Sequence, residues 1–381
     1  MFLATILSIN GYGQKVEIGQ AEAVKDSTLD NQPKKFKTRF TPFLAPSYAP
    51  ETEVMLVAGG LFAFKFEPLD QLVNLSSVPF SIGYSTNKSL LVSIRPYLYF
   101  NRDKYRLYGN IWIKNMPDNY FGVGYDLNST IPRGEETSYY KRDWWQFDIR
   151  FLREIKKSLY GGLLFDFNHT IATDLNPVMA SDEYIIDNGT AIYNHGLGLD
   201  IEYDSRDVPI NAYSGVFLNA SMTFYGNYLG TDFNYSVLVL DYRQYKTIKR
   251  EGRTLAWEIK NRMGFGDVPW PEMSQLGTPF DLRGYRWGQY RDRWLSFGIL
   301  EYRHQFMRKS PDKKGSMHSK HGFVTWVAAG TIFEDFSTIK NWLPNAGLGY
   351  RFEVQPRMNV RVDCGFGRDA TGFYVSFNEA F

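Results

Sequence analysis

The chain has 381 residues, and 43 basic against 41 acidic side chains leave a formal net charge of only +2, a balance that implies no nucleic-acid partner. No apolar run reaches the roughly 18 residues of a membrane-spanning helix; the longest, residues 54–64, includes two glycines. The single Cys364 excludes an internal disulfide framework, and the five histidines are scattered, so neither a metal site nor a cofactor is expected. Aromatic residues make up 17% of the chain, with 26 Tyr and 29 Phe. That richness without a spanning helix suits a transmembrane β-barrel, which carries aromatic girdles at both interfaces; the alternative is a soluble β-rich protein.

In chain order, residues 1–14 resemble a secretory signal peptide without its basic start. Residues 15–37 are polar and charged and are expected to form a flexible periplasmic lead-in. From 38 to 381 the chain alternates apolar and polar side chains at period 2. This gives sixteen expected strands: 38–48, 53–66, 77–86, 88–101, 104–114, 138–154, 156–169, 189–204, 213–227, 231–248, 252–267, 291–308, 319–332, 341–355, 357–368 and 370–381. Leu197, Leu199 and Ile201 oppose Asp200 and Glu202; Leu238, Leu240 and Tyr242 oppose Asp241 and Arg243; Met358, Val360 and Val362 oppose Arg361 and Asp363. The polar faces carry eight basic and nine acidic residues by this assignment, which suits a closed, partly filled lumen, where unpaired charge is costly. Long connections follow odd strands (115–137, 170–188, 268–290) and most short ones follow even strands, the asymmetry of outer loops and periplasmic turns. The expected architecture is therefore all-β, an antiparallel transmembrane barrel of about sixteen strands.

One long loop, roughly 268–291, holds Leu282-Arg283-Gly284-Tyr285 and is followed by a strand with Glu301-Tyr302-Arg303. Three further stretches are Tyr120-Phe121-Gly122-Val123-Gly124 in an outer loop, Asp204-Ser205-Arg206-Asp207 ending the eighth strand, and a C-terminal alternating strand with Phe377 and Phe381. In order and spacing these elements resemble the signature of the BamA/TamA superfamily of outer-membrane assembly barrels, over about 38–381. The resemblance implies that the loop folds into the lumen and that Arg283 meets acidic residues of the inner wall. Glu301, Glu334, Asp335 and Asp363 are the candidates, and a solvated loop arginine is the alternative. Gly284 would permit the tight approach. The stretch Asp204, Arg206 and Asp207 reads independently as a turn former, since Asp and Ser side chains bond nearby backbone N–H groups. Residues 15–37 are too short for the polypeptide-transport-associated domains of most of the family, so a short form is expected.

Catalytic chemistry finds little support: His195, Ser181 and Asn194 are not fixed into a triad by their spacing, and Gly122 and Gly124 lack the βαβ setting of a dinucleotide loop. The expected protein is thus a barrel in the outer membrane of a Gram-negative bacterium, surrounded by outer-membrane lipids and working with other outer-membrane or periplasmic assembly proteins. By resemblance it assists membrane-protein insertion or moves a polypeptide or lipid; the alternative is a passive pore or scaffold. Pro42 and Pro46 in the first strand, with Pro50 beyond, lack N–H donors at even positions. A strand with that deficiency suits an edge, so the seam with the strand ending in Phe377 and Phe381 is expected to be the weakest. The alternative is an extended lead-in, with the first strand starting later.

Overall fold

The structure, a computed structural model, describes residues 35–49, 53–70, 73–134, 136–309, 316–368 and 370–381. The signal-peptide, lead-in and short-form readings rest on residues 1–34, which lie outside the described residues, as does Pro50.

The wall consists of β1 (Arg39–Ala49), β2 (Glu53–Phe64), β3 (Ser76–Ser85), β4 (Leu90–Ile94), β5 (Tyr97–Phe100), β6 (Tyr105–Asn119), β7 (Tyr139–Lys156), β8 (Leu159–Thr173), β9 (Ala191–Asp204), β10 (Gly215–Tyr225), β11 (Tyr235–Ile248) and β12 (Arg250–Gly266), and then, beyond a long loop, β15 (Trp294–Lys309), β16 (Ser316–Phe333), β17 (Leu343–Gln355), β18 (Met358–Phe366) and β19 (Thr371–Phe377). The loop between β12 and β15 contributes its own hairpin, β13 (Ser274–Leu276) with β14 (Tyr290–Asp292). Paired wall strands run antiparallel in chain order, β4 and β5 sharing one place between β3 and β6, and β12 pairs directly with β15. The strands β7 and β16 have 18 residues each, well beyond the roughly 9–11 that a tilted strand needs to cross a bilayer.

A continuous strand over 88–101 is corrected to two pieces. Both β4 and β5 pair with β3 on one side and β6 on the other, and the break falls at Arg95-Pro96, where Pro96 has no N–H to give. Its carbonyl still accepts the Gly109 N–H at 2.9 Å, and a Cβ at Gly109 would lie 2.8 Å from the Pro96 ring, so glycine lets the two chains close over the break. Counted as one, the two pieces reduce the 17 segments of the sheet to sixteen strand positions among the described residues.

Alternation decides which way each side chain points. Leu199 is 59% exposed while its neighbour Asp200 is buried. Leu240, Leu163, Val327 and Val375 likewise point outward, and Asp241, Glu202 and Arg361 inward. Rows of exposed large apolar side chains all round the wall require a hydrocarbon surround rather than water. No helix among the described residues is long and apolar enough to cross a membrane.

The outer loops fold more than their sequences suggest. Short helices α1 (Tyr125–Thr130), α2 (Pro177–Ser181) and α3 (Glu183–Asn188) lie within stretches read as plain loop. The start of α2 has local causes: Asn176 accepts the Met179 N–H and Pro177 fills the first turn, where a missing N–H costs nothing. Met179 of α2 and Ile185 of α3 pack with Tyr120, Tyr140 and Trp270 into a buried apolar cluster.

Candidate functional site

The loop between β12 and β15 reaches the inner wall through a fold that its own residues impose. The β13–β14 hairpin narrows it, and at its tip Asp281 accepts the N–H groups of Gly277 at 2.9 Å and Thr278 at 2.8 Å, and the Thr278 hydroxyl at 2.6 Å. Burial pushes the Asp281 carboxyl up from its ordinary range, an effect these donors partly offset. The turn so formed places Leu282, Arg283 and Tyr285 side by side, all buried. Gly284 follows with φ +124°, a conformation that side chains rarely adopt. It passes Gly365 of β18 so closely that a Cβ on Gly365 would lie 2.0 Å from the Arg283 carbonyl oxygen.

Arg283 is fully buried. One guanidinium nitrogen donates to Asp363 at 2.9 Å and the other to Glu301. The flat of the group lies 3.6 Å from the centroid of the Trp326 ring. A forked, planar cation fits this arrangement as lysine would not. The fork is thus divided between β15 and β18, with the β16 tryptophan beneath it. The other two candidates lie elsewhere: Glu334 pairs with Arg293 at 3.5 Å near the surface, and exposed Asp335 caps a short turn through the Ser337 N–H. Both sit beyond the end of β16, where the wall has already passed into an outer loop.

The residues around Arg283 form a network. Arg303 binds Glu301 at 2.9 Å, Arg351 binds Asp363 at 2.5 Å and Glu379 at 2.8 Å, and Arg361 reaches Asp363 at 3.3 Å. Arg361 also donates to the Pro279 carbonyl of the loop at 2.9 Å. Burial alone would raise the Glu379 carboxyl, but the guanidiniums of Arg351 and Arg303 hold it below its ordinary range. Backbone contacts complete the seating: Asn345 donates to the Arg283 carbonyl, Tyr285 donates to the Pro344 carbonyl at 2.8 Å, and the Tyr374 hydroxyl accepts the Gly284 N–H at 3.0 Å and donates to the Tyr285 carbonyl at 3.2 Å. Of these partners, Arg303 belongs to the Glu-Tyr-Arg run and Arg351, Arg361 and Asp363 follow from strand parity. Asn345, Trp326 and Tyr374 give no signal in a single sequence.

The aromatic-Gly-x-Gly stretch sits at the loop's base. Gly124 N–H donates to the Arg291 carbonyl at 2.8 Å, and the Arg291 guanidinium lies over Tyr120 at 5.0 Å and Trp270 at 5.6 Å. At the other end of the wall, Asp204 does more than form a turn. It accepts the Arg206 backbone N–H at 3.1 Å and its side chain at 2.9 Å, and it shares Arg106 with Glu202. Asp207 accepts the Tyr213 N–H at 2.9 Å and pairs with Arg357. Arg106, sandwiched on the Tyr160 ring at 3.8 Å, escaped the sequence reading because an Arg, Lys and Asp-rich turn precedes it.

The seam differs from the expectation at one end. Pro42 and Pro46 lie within β1, opposite Gly60 and Leu56 of β2, so the segment is strand and not lead-in. The expected strand over 370–381 is corrected at its end: β19 stops at Phe377, and Phe381 lies in the lumen rather than in the wall. The chain turns inward at Asn378 (φ +62°), whose N–H donates to the Asn359 carbonyl at 2.7 Å. Glu379 meets Arg351, and Phe381 is buried with the Arg303 guanidinium 4.8 Å from its ring centroid. The Glu379 charge explains the turn: at its place in the alternation it is drawn to the interior arginines. Among the described residues no ladder joins β1 to β19, and the side chain of Gln355, at the end of β17, donates to Thr41 of β1. Ser181, His195 and Asn194 do not converge. Ser181 donates to the Pro177 carbonyl, His195 contacts His169 at 3.0 Å and the Leu229 carbonyl at 2.9 Å, and Asn194 is buried on the opposite face.

A wall of this order, with a loop from its eleventh connection seated inside, has relatives. Residues 75–337 match the Omp85 superfamily domain. The chain belongs to the Omp85 superfamily. As a fold, this Omp85 barrel is similar to the crystal structure of BamA from Haemophilus ducreyi lacking POTRA domains 1–3, with a TM-score of 0.54, 14% identity, and coverage of 90% of this chain and 69% of that one. CdiB from Acinetobacter baumannii aligns with a TM-score of 0.49 at 14% identity, covering 90% of this chain and 59% of that one. No curated protein sequence matches the chain. Family and fold together make it an outer-membrane barrel of the assembly and translocation class.

Proposed function

We propose that this Omp85 barrel assists the insertion of other outer-membrane proteins, or moves a polypeptide or lipid, by opening its wall between β1 and β19. The observation that carries this reading is the missing ladder between those two strands among the described residues. Both prolines of β1 are at even positions, so their absent donors fall on one edge. The other edge is used along its whole length by β2, which leaves the deficient edge facing β19. A wall can part at such a place without breaking many backbone bonds, and the two free edges could template an incoming strand. The lumen supports this reading over a passive pore, since the loop and its ion pairs occupy the wall's interior.

The test uses the full chain in liposomes, with a small urea-unfolded barrel protein as client and its folding followed by heat-modifiable mobility. The chain should accelerate folding. Cysteine pairs between Arg39–Ala49 and Thr371–Phe377, in a Cys364→Ser background, should abolish the acceleration when oxidised and restore it when reduced. Equal rates in both states would rule the seam out. Large, steady single-channel currents from the unmodified chain would favour the pore or scaffold reading instead.

A further inference from the structure

The outer wall carries a feature that insertion chemistry does not use. At the periplasmic ends of β11 and β12, beside β15, the face that points to lipid changes from apolar to basic. Along β12 the outward row runs Ile259, Trp257, Leu255 and then Arg253; along β11 it runs Leu240, Tyr242, Gln244 and then Lys246. Lys246 lies opposite Leu255, one diagonal step from Arg253, and Arg253 lies opposite His304 of β15. Arg250, the first residue of β12, approaches the same His304 ring at 3.5 Å. Among the described residues, none of Lys246, Arg250 and Arg253 has a carboxylate within ion-pair distance, whereas the inward cations of the same strands, Arg243, Lys260 and Arg303, are paired. The Arg253 Nε is shielded from solvent and has no hydrogen-bond partner.

Further up the wall, towards the middle of the membrane, the outward face over β10, β11 and β12 is hollow. Leu218, Ala220, Leu240, Tyr242 and Ile259 border a groove of about 440 Å³. The hollow exists because Ala220 stands between larger neighbours, Leu218 on its own strand and Leu240 opposite it on β11. From Lys246 to Tyr242 is four residues, about 14 Å along a strand. A cationic cluster at headgroup depth and an apolar groove one short span deeper fit one kind of molecule.

We propose that this face binds an anionic glycerophospholipid of the periplasmic leaflet. Its phosphate sits among Lys246, Arg250 and Arg253, and one acyl chain lies in the groove over Ala220. The headgroup charge attracts the cluster because basic side chains at a membrane surface each contribute to binding anionic lipid. The chain fills a gap that would otherwise leave its lining without contacts on one side. Nothing in this site depends on whether the seam opens.

The experiment uses the full chain in detergent, supplied with equal amounts of phosphatidylglycerol and phosphatidylcholine of matched chains. Native mass spectrometry then counts the lipid retained. Retention of phosphatidylglycerol should exceed that of phosphatidylcholine. The preference should fall by at least roughly fivefold for each basic side chain reversed, as in Lys246→Glu and Arg253→Glu. Lys156→Glu with Lys157→Glu, in the β7–β8 turn, should leave it unchanged. Ala220→Trp should reduce retention of both lipids with every charge intact. All variants are first checked for heat-modifiable mobility, so that a misfolded wall is not read as lost binding. Equal retention of the two lipids by the unmodified chain would overturn the proposal. So would a preference that survives Lys246→Glu and Arg253→Glu, or one lost equally in the β7–β8 control, and undiminished retention in Ala220→Trp would remove the groove from it.

Discussion

Between β15 and β18 the wall is held twice, by continuous ladders and from inside by a loop whose arginine joins Glu301 on β15 to Asp363 on β18. At β1 and β19 the same sheet has no ladder among the described residues, and two prolines withhold donors from the exposed edge. Buried charge is a strong constraint because removing one partner strands the other. A missing backbone bond is a weak one. The barrel thus concentrates resistance on one flank and compliance on the other, and both properties come from ordinary residues in particular places.

The comparison breaks most sharply at Arg283. Arg283→Ala leaves Glu301 and Asp363 with one cation fewer each in a dry environment, and should lower unfolding stability by about 3–5 kcal/mol. Arg283→Lys should recover only part of it, because a point charge cannot serve two carboxylates on a planar fork. Urea titration in detergent, read by heat-modifiable mobility, measures both; an alanine variant as stable as the unmodified chain would show that the network is not what holds this flank.

A smaller effect is expected at Gly365. A methyl there collides with the Arg283 carbonyl, so Gly365→Ala should cost about 1–3 kcal/mol and loosen the loop, with raised single-channel conductance as the second readout. Unchanged conductance would mean that the loop tolerates displacement without unseating.

Acidity should act through the loop base. Burial raises the Asp292 carboxyl to about 6 from an ordinary 3.8. The folded state therefore binds this proton more tightly than the unfolded chain does. The resulting stability is present below about pH 3.8 and is lost as pH rises through about 6. Asp292→Asn should flatten that dependence, about 3 kcal/mol between these limits; a variant with the same slope would assign the titration to another group.

The smallest change should appear at the compliant flank. Pro42→Val with Pro46→Val restores two donors to the free edge, and should slow amide exchange in β1 and β19 relative to β7 and β8 while altering global stability by less than about 1 kcal/mol. Exchange that does not slow would place those donors away from the seam.

Most of the wall was legible because a strand facing lipid on one side and a charged interior on the other writes its alternation plainly. Asp200 between Leu199 and Ile201 needs no further context. Arg283 was legible for a different reason: the resemblance implied a loop arginine meeting acids of the inner wall, and Glu301 and Asp363 are two of its four candidates, whereas Glu334 and Asp335 lie beyond the end of β16. Pro96 was misjudged because period 2 continues through it, although its backbone cannot. Phe381 was misjudged because its apolar neighbours suggested more strand, while the single Glu379 carried the competing instruction to turn inward. Asn345 and Tyr374 were out of reach: their partners are carbonyl and N–H groups of a distant loop, and such pairings leave no trace in composition or spacing.

Tyr374 has a consequence for timing. It belongs to β19, which among the described residues has a ladder only with β18, yet its hydroxyl is bonded to the backbone of Gly284 and Tyr285. An edge strand tied in this way is tethered to the interior by a pair of bonds rather than zipped to a partner along its length. Swinging β19 outward would therefore break those two bonds together, and the loop would register the movement at once. A Tyr374→Phe chain would have a wall of the same strength whose edge no longer reports its position to the loop.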